Sequence, residues 1–345
     1  MTRVRTRIGI AATTVAVAAL ALTACSGAGE ETPADDASSG ASSDAFPVTI
    51  ADAFGETTIE AEPERVVAWG WSAADAVLAL GVVPAAIPAQ PYGGDADGVL
   101  PWIQEALDDM GADVPVILDS STNEVPIEAV AAVDPDLVLA PYSGLTQEEY
   151  DQLTGLGIPV VAYPDQPWAT PWRDVISITG EALGKSAEAA QLLDDIDAEI
   201  SAQAGAHPEF ADVSVAQVWD VAGTFYLYLP ADPRVEFTED LGFTTDASVA
   251  GLDTGESTFY TTVGYESLDR ITSDILVAYA DTQEQLDAFL ASDQARLLPQ
   301  VEAGTVAGVV GPAQIAAVSP PTALSLTWGV DSYVDALTDA VAALP

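Results

Sequence analysis

Glu128-Ala-Val-Ala-Ala-Val-Asp-Pro-Asp136-Leu-Val-Leu-Ala140 and Glu266-Ser-Leu-Asp-Arg-Ile-Thr-Ser-Asp274-Ile-Leu-Val-Ala278 are one phrase written twice. Each copy has a glutamate on a short helical stretch, an aspartate eight residues on, and then a run that reads as a buried strand. Around the first copy, residues 65–69, 114–118 and 160–162 read as further strands, and 73–80, 127–133 and 147–156 as helices. Around the second, strands are expected at 213–219, 224–229, 275–278 and 306–310, with helices at 267–271, 283–291 and for much of 322–344. Such alternation predicts parallel, doubly wound sheets. Between the copies lies the longest helical stretch, 170–205. It opens on Thr170-Pro171, because proline suits a first helical position. It pauses at Gly184 and then carries Ala189, Leu193, Ile196 and Ile200 at helical spacing. The predicted architecture is α/β: two doubly wound lobes joined by a single long helix. The expected boundaries are 46–169 for the first lobe, 170–205 for the linking helices and 206–345 for the second lobe.

Local signals sharpen the helix ends. Ser72 and Thr146 are expected as N-caps of 73–80 and 147–156, and Gly157 as a stop. The segment Pro230-Ala-Asp-Pro-Arg234-Val-Glu236 reads as a loop beyond the strand at 224–229.

The N-terminus carries a sorting signal. Arg3, Arg5 and Arg7 precede an apolar run from 8 to 22 that ends in Leu22-Thr23-Ala24-Cys25. A basic start, an apolar middle and small residues at the cut site form a signal peptide, 1–24. The run is shorter than the roughly 20 residues of a membrane-spanning helix. Leu-Thr-Ala-Cys resembles the lipobox of bacterial lipoproteins. That resemblance implies cleavage before Cys25 and acylation of its thiol, which anchors the protein to the outer face of the cell membrane. Residues 25–45 are small and polar and read as a flexible tether. Cys25 is the one cysteine in the chain, so no disulfide is available to the fold.

Charge excludes several partners. Without Arg3, Arg5 and Arg7, six basic residues face 54 acidic ones. Nucleic acid and anionic lipid surfaces need clustered Lys and Arg, so no nucleic-acid partner is expected. His207 is the one histidine, too few for a site that binds bare Zn²⁺ or Mn²⁺. No Gly-x-Ser-x-Gly elbow, P-loop or dinucleotide glycine fingerprint occurs. A nucleophilic triad has little to build from, and an enzyme of unknown reaction remains only a distant alternative.

Taken in order, Arg65-Val-Val-Ala-Trp69, the Glu128 phrase, Gly155-Leu-Gly-Ile-Pro-Val-Val161, Gly180-Glu-Ala-Leu-Gly-Lys185 and the Glu266 phrase resemble the substrate-binding lipoproteins of ABC importers, in the class that binds ferric siderophores, haem or cobalamin. The resemblance implies a monomer that captures a ferric siderophore in a ligand cleft between the two lobes and passes it to two permease subunits and their ATPase. Cobalamin or haem are the alternative cargoes. It implies no cofactor, with ferric iron entering only as a chelate. It assigns permease docking to one exposed glutamate per lobe, Glu128 and Glu266.

Ligands of doubly wound sheets sit beyond the carboxyl ends of the strands. The residues expected there are Trp71, Tyr92, Tyr142 and Trp168 from the first lobe, and Trp219, Tyr226, Arg234, Tyr260 and Trp328 from the second. Indole and phenol rings suit a large chelate with polar edges, and an Arg could meet its oxygens. Phe225 and Leu227 alternate with Tyr226 and belong to the opposite, core-facing side of their strand. Scarce Arg and Lys favour a neutral or cationic hydroxamate chelate over an anionic catecholate or citrate.

Overall fold

The computed structural model describes residues 46–345; the leader, Cys25 and the tether lie outside them. The chain enters through an antiparallel hairpin, β1 (Val48–Asp52) and β2 (Gly55–Ile59). A wholly parallel sheet follows, ordered β5-β4-β3-β6-β7, from β3 (Val66–Ala68), β4 (Ala86–Pro88), β5 (Val116–Leu118), β6 (Leu137–Leu139) and β7 (Val160–Val161). Its helices are α1 (Ala73–Ala79), α2 (Pro101–Met110), α3 (Ile127–Ala132) and α4 (Gln147–Gly155). Then come α5 (Trp172–Ala182) and α6 (Ser186–Ala206), whose 21 residues make it the longest helix among the described residues.

The second sheet is mixed. β8 (Ser214–Val221), β12 (Ile275–Ala280) and β13 (Val306–Val310) run parallel, β9 (Thr224–Tyr228) pairs antiparallel with β8, β11 (Tyr260–Thr262) antiparallel with β9, and β10 (Thr244–Thr245) adds in parallel to the start of β8. Its helices are α7 (Pro233–Asp240), α8 (Ala247–Leu252), α9 (Gln283–Ala291), α10 (Pro299–Ala303), α11 (Pro312–Ala317) and α12 (Ser325–Ala342). All six residues of β12 are buried, as a central strand requires.

The repeated phrase has a structural cause. Asp136, just before β6, accepts the backbone N–H groups of Glu64 (2.7 Å) and Arg65 (2.9 Å) at the start of β3. Asp274, just before β12, accepts the N–H (2.8 Å) and hydroxyl (2.7 Å) of Ser214 at the start of β8. In both lobes the aspartate ties the amino end of its own strand to the neighbouring one.

Apolar burial joins the lobes. One core runs from Ile50, Leu137 and Val161 through Trp172, Ile176, Ile196 and Ile200 to Val215, Val277, Val330 and Leu337. Helices α5, α6 and α12 are embedded in it rather than spanning a gap. Arg173 of α5 adds ion pairs to Asp197 of α6 (2.7 Å) and Asp240 of α7 (3.0 Å).

Four local expectations need correction. Ser72 takes the N-cap position of α1 in a left-handed conformation (φ 62°) and makes no side-chain cap, because the turn before it is set by its packing on the loop after β6. Pro171 caps α5 instead of occupying its first turn. Residues 265–270 form a 3₁₀ turn, not an α-helix. The stretch expected as a loop around Arg234 is α7, capped by Asp232 with Pro233 at its first position. Thr146 behaves as expected: it forms a capping box with Glu149.

Candidate functional site

Four loops at the carboxyl ends of the first sheet carry the aromatic residues. After β3, Gly70 (φ 89°) lets the chain touch the loop after β6; a Cβ there would stand 2.4 Å from the Tyr142 carbonyl oxygen. That contact allows the Trp71 N–H to donate to the same oxygen at 3.0 Å. The Trp168 N–H donates to the Ser143 carbonyl (3.1 Å), and its indole lies on the bare backbone of Gly144, where a Cβ would come within 2.6 Å of Nε1. Trp168 has a φ of 58°, a strained value for a bulky residue, and remains 44% exposed. Tyr142 meets Trp168 edge-on at 5.7 Å.

The second lobe presents a tiered wall. Trp219 and Tyr226 face each other across the β8–β9 ladder, and Tyr226 packs edge-on to Tyr260 at 5.4 Å. Beneath them Tyr228 and Tyr279 are buried. The Arg234 guanidinium lies 3.7 Å from the Tyr228 ring centroid and bonds Asp232 at 2.7 Å, with side-chain exposures of 13% and 2%. Gln217 fixes this layer from below. It donates to the Arg234 carbonyl (3.1 Å) and Thr238 (2.8 Å) and accepts from the Tyr279 hydroxyl (2.7 Å). Burial alone would lower the Arg234 guanidinium, but the Asp232 charge more than offsets it and holds it above the usual arginine range. Burial pushes the Asp232 carboxyl up against the pull of Arg234. Tyr142 is pushed up to about 12 by burial and then by the Asp232 charge, so its hydroxyl stays a donor.

Three cavities follow these walls. One of about 380 Å³ lies between Tyr142 and Trp168 on one side and Asp232, Arg234 and Phe259 on the other. A second, about 350 Å³, is lined by Trp69, Trp71, Tyr92 and Trp168. A third, about 480 Å³, is lined by Trp219, Asp220, Tyr265, Asp281 and Phe289. Trp168 is common to the first two, and the Tyr92 and Trp219 rings, 6.2 Å apart, connect the second to the third. Two bonds cross between the lobes here: the Tyr92 hydroxyl donates to Asp281 (2.9 Å), and the Trp71 indole N–H to the Pro320 carbonyl (3.3 Å).

Of the nine residues expected to face a ligand, six therefore line these cavities: Trp71, Tyr92, Tyr142, Trp168, Trp219 and Arg234. Tyr226 and Tyr260 line none of them but pack among residues that do; Tyr260 meets Phe259 at 5.0 Å. Trp328 lies elsewhere. It sits on α12, 5.3 Å from Trp102 of α2, and its indole N–H donates to Glu105 (3.2 Å). Helical spacing puts it on the stripe that packs α12 against α2, away from the strand ends. Phe225 and Leu227 are core residues, as alternation requires. Sequence reasoning missed Asp232, Gln217 and Gly144. Asp-Pro at a helix start was a usable signal for the first; the other two had none. Glu128 and Glu266 are exposed, each in the first turn of its element.

Two sheets, an aromatic cleft at their carboxyl ends and a helical link packed into one core define a two-lobed binding protein. The chain belongs to the periplasmic binding protein family, whose profile matches residues 66–309. It is 30% identical over 155 residues to a probable siderophore-binding lipoprotein of Bacillus subtilis, an alignment covering 44% of this chain and 43% of that one. It is 25% identical to the ferric enterobactin-binding periplasmic protein of Escherichia coli, covering 74% of this chain and 82% of that one. The fold matches Streptococcus pneumoniae PiaA in complex with ferrichrome, with a TM-score of 0.77 and 31% identity, over 86% of this chain and all of that one. No helix among the described residues is long and apolar enough to cross a membrane.

Proposed function

We propose that the protein is the substrate-binding component of an ABC importer and captures a ferric siderophore of hydroxamate type. The observation that carries this is the aromatic cleft, closed on one side by Trp71, Tyr142 and Trp168 and on the other by Trp219, Phe259 and the Arg234–Asp232 pair. Flat rings with hydroxyl and indole donors fit the greasy, polar-edged surface of a chelate. Ferrichrome, the ligand of the PiaA structure, is such a chelate. The cleft carries one Arg whose charge is already matched, which disfavours an anionic catecholate. The protein binds rather than catalyses and needs no cofactor; iron arrives as cargo inside the chelate.

The remaining assignments complete this function. Glu128 and Glu266 dock into basic pockets of two permease subunits, and Cys25 holds the monomer to the outer face of the cell membrane through its lipid. Residues 46–169 and 206–345 act as the two lobes, with 170–205 between them. Titration with ferrichrome should quench tryptophan fluorescence, while free Fe³⁺ leaves it unchanged. Quenching by haem or cobalamin with none by ferric hydroxamates overturns the siderophore assignment.

A further inference from the structure

We propose that the cleft selects a hydroxamate chelate bearing a free ammonium, and that the third cavity is the seat of that ammonium arm. This rests on the siderophore reading above and deepens it. Two independent observations carry it. The first is the chemistry of the cavity. It is a chamber of about 480 Å³ beyond the carboxyl ends of β8 and β12, large enough for a flexible aliphatic arm. Asp220 and Asp281 stand on its wall, held by the hydroxyls of Tyr265 (2.8 Å) and Tyr92 (2.9 Å). No Lys, Arg or His lines it, and Trp219, Tyr265, Tyr279 and Phe289 supply ring faces. Carboxylates over aromatic faces form the environment that stabilises an alkylammonium.

The second observation is the charge balance of the cleft as a whole. The titratable carboxylates and cations on the three cavity walls are Asp220, Asp232, Glu236 and Asp281 against Arg234 alone. Arg234 is paired with Asp232 in a nearly buried contact. The cleft therefore offers no free positive charge to an anionic chelate and leaves two carboxylates at one end for a cation. The chamber joins the main cleft at Tyr92 and Trp219, so a chelate resting on Trp168 and Trp219 can extend its arm past that pair.

Ferrioxamine B and its N-acetyl derivative test this, because they share one trihydroxamate core and differ in the ammonium. The wild type is expected to bind the ammonium form about tenfold more tightly, the size of one charge-assisted hydrogen bond, with the preference shrinking as salt rises. In Asp220→Asn with Asp281→Asn, both tyrosine hydroxyls keep an acceptor, and the preference should disappear while affinity for the acetyl form stays the same. Equal binding of the two probes by the wild type overturns the inference and leaves the hydroxamate function standing. A preference that survives the double substitution overturns the assignment to this chamber. Binding of neither probe, with a ferric catecholate bound instead, overturns the hydroxamate function and this inference together.

Discussion

Replacing Asp232 by Asn tests the pair at the centre of the cleft wall. The substitution keeps shape, and its side-chain oxygen can still cap α7, but it leaves the Arg234 guanidinium without a counter-charge at 13% exposure. Stripping one partner from a buried ion pair costs about 3 kcal/mol or somewhat more. The Tyr228 ring face, 3.7 Å from the guanidinium, is in contact with it whether or not Asp232 is charged and leaves that cost standing. A loss of about 3 kcal/mol corresponds to a fall in Tm of about 5 °C for a chain of this size. Calorimetry of the apo protein at neutral pH measures it directly. Adding Arg234→Met should recover most of the loss, since exchanging a whole buried pair for apolar packing is close to neutral. A Tm within 1 °C of wild type for the single variant, or a double variant no better than the single, refutes the claim that Asp232 neutralises Arg234.

Four further outcomes are expected. Gly144→Ala drives a methyl into the Trp168 indole, 2.6 Å from Nε1; fluorescence titration should show at least tenfold weaker ligand binding with little change in Tm, because the displaced ring is exposed. Asp75 is buried between the Trp102 indole N–H (2.6 Å) and the Thr322 hydroxyl, and burial raises its carboxyl to about 6. Its protonated form is favoured on folding, so its contribution to stability is full below about pH 4 and is lost as pH rises through 6; urea melts at pH 4.5 and 7.5 should show Asp75→Asn removing on the order of 2 kcal/mol of that pH dependence. Glu128→Ala combined with Glu266→Ala should abolish cellular uptake of ferric chelate and leave its affinity for purified protein intact. Cys25→Ala should release the protein into the medium, read by immunoblot of cell and supernatant fractions, with unchanged ligand binding.

Most of the scaffold was legible because period and burial coincide. The four residues after Asp136 and the run after Asp274 are central strands, and apolar runs with no polar alternation signal that position. What stayed hidden depended on contacts distant in sequence. β4 reads Ala-Ile-Pro and ends in Pro88, a residue that argues against an interior strand. The helix at Arg234 has few apolar residues, so only its Asp-Pro cap marked it. The aromatic site was half legible: strand-end aromatics could be collected from sequence, but Trp328 differs from Trp219 only in the element that carries it. The second sheet is mixed because β9 folds back antiparallel onto β8 as a hairpin; the further return of β11 onto β9 is a pairing that no local pattern encodes.

The unbroken core through α5, α6 and α12 bears on how this molecule could be used as a sensor. Reporters that depend on two lobes swinging apart, such as a donor and acceptor dye on opposite rims, would register almost nothing, because the lobes share packed side chains instead of a loose hinge. A single solvent-sensitive dye at exposed Gln166, two residues from Trp168, would instead be desolvated directly by the arriving chelate. The signal to collect from such a receptor is a local change of polarity, not a change of distance.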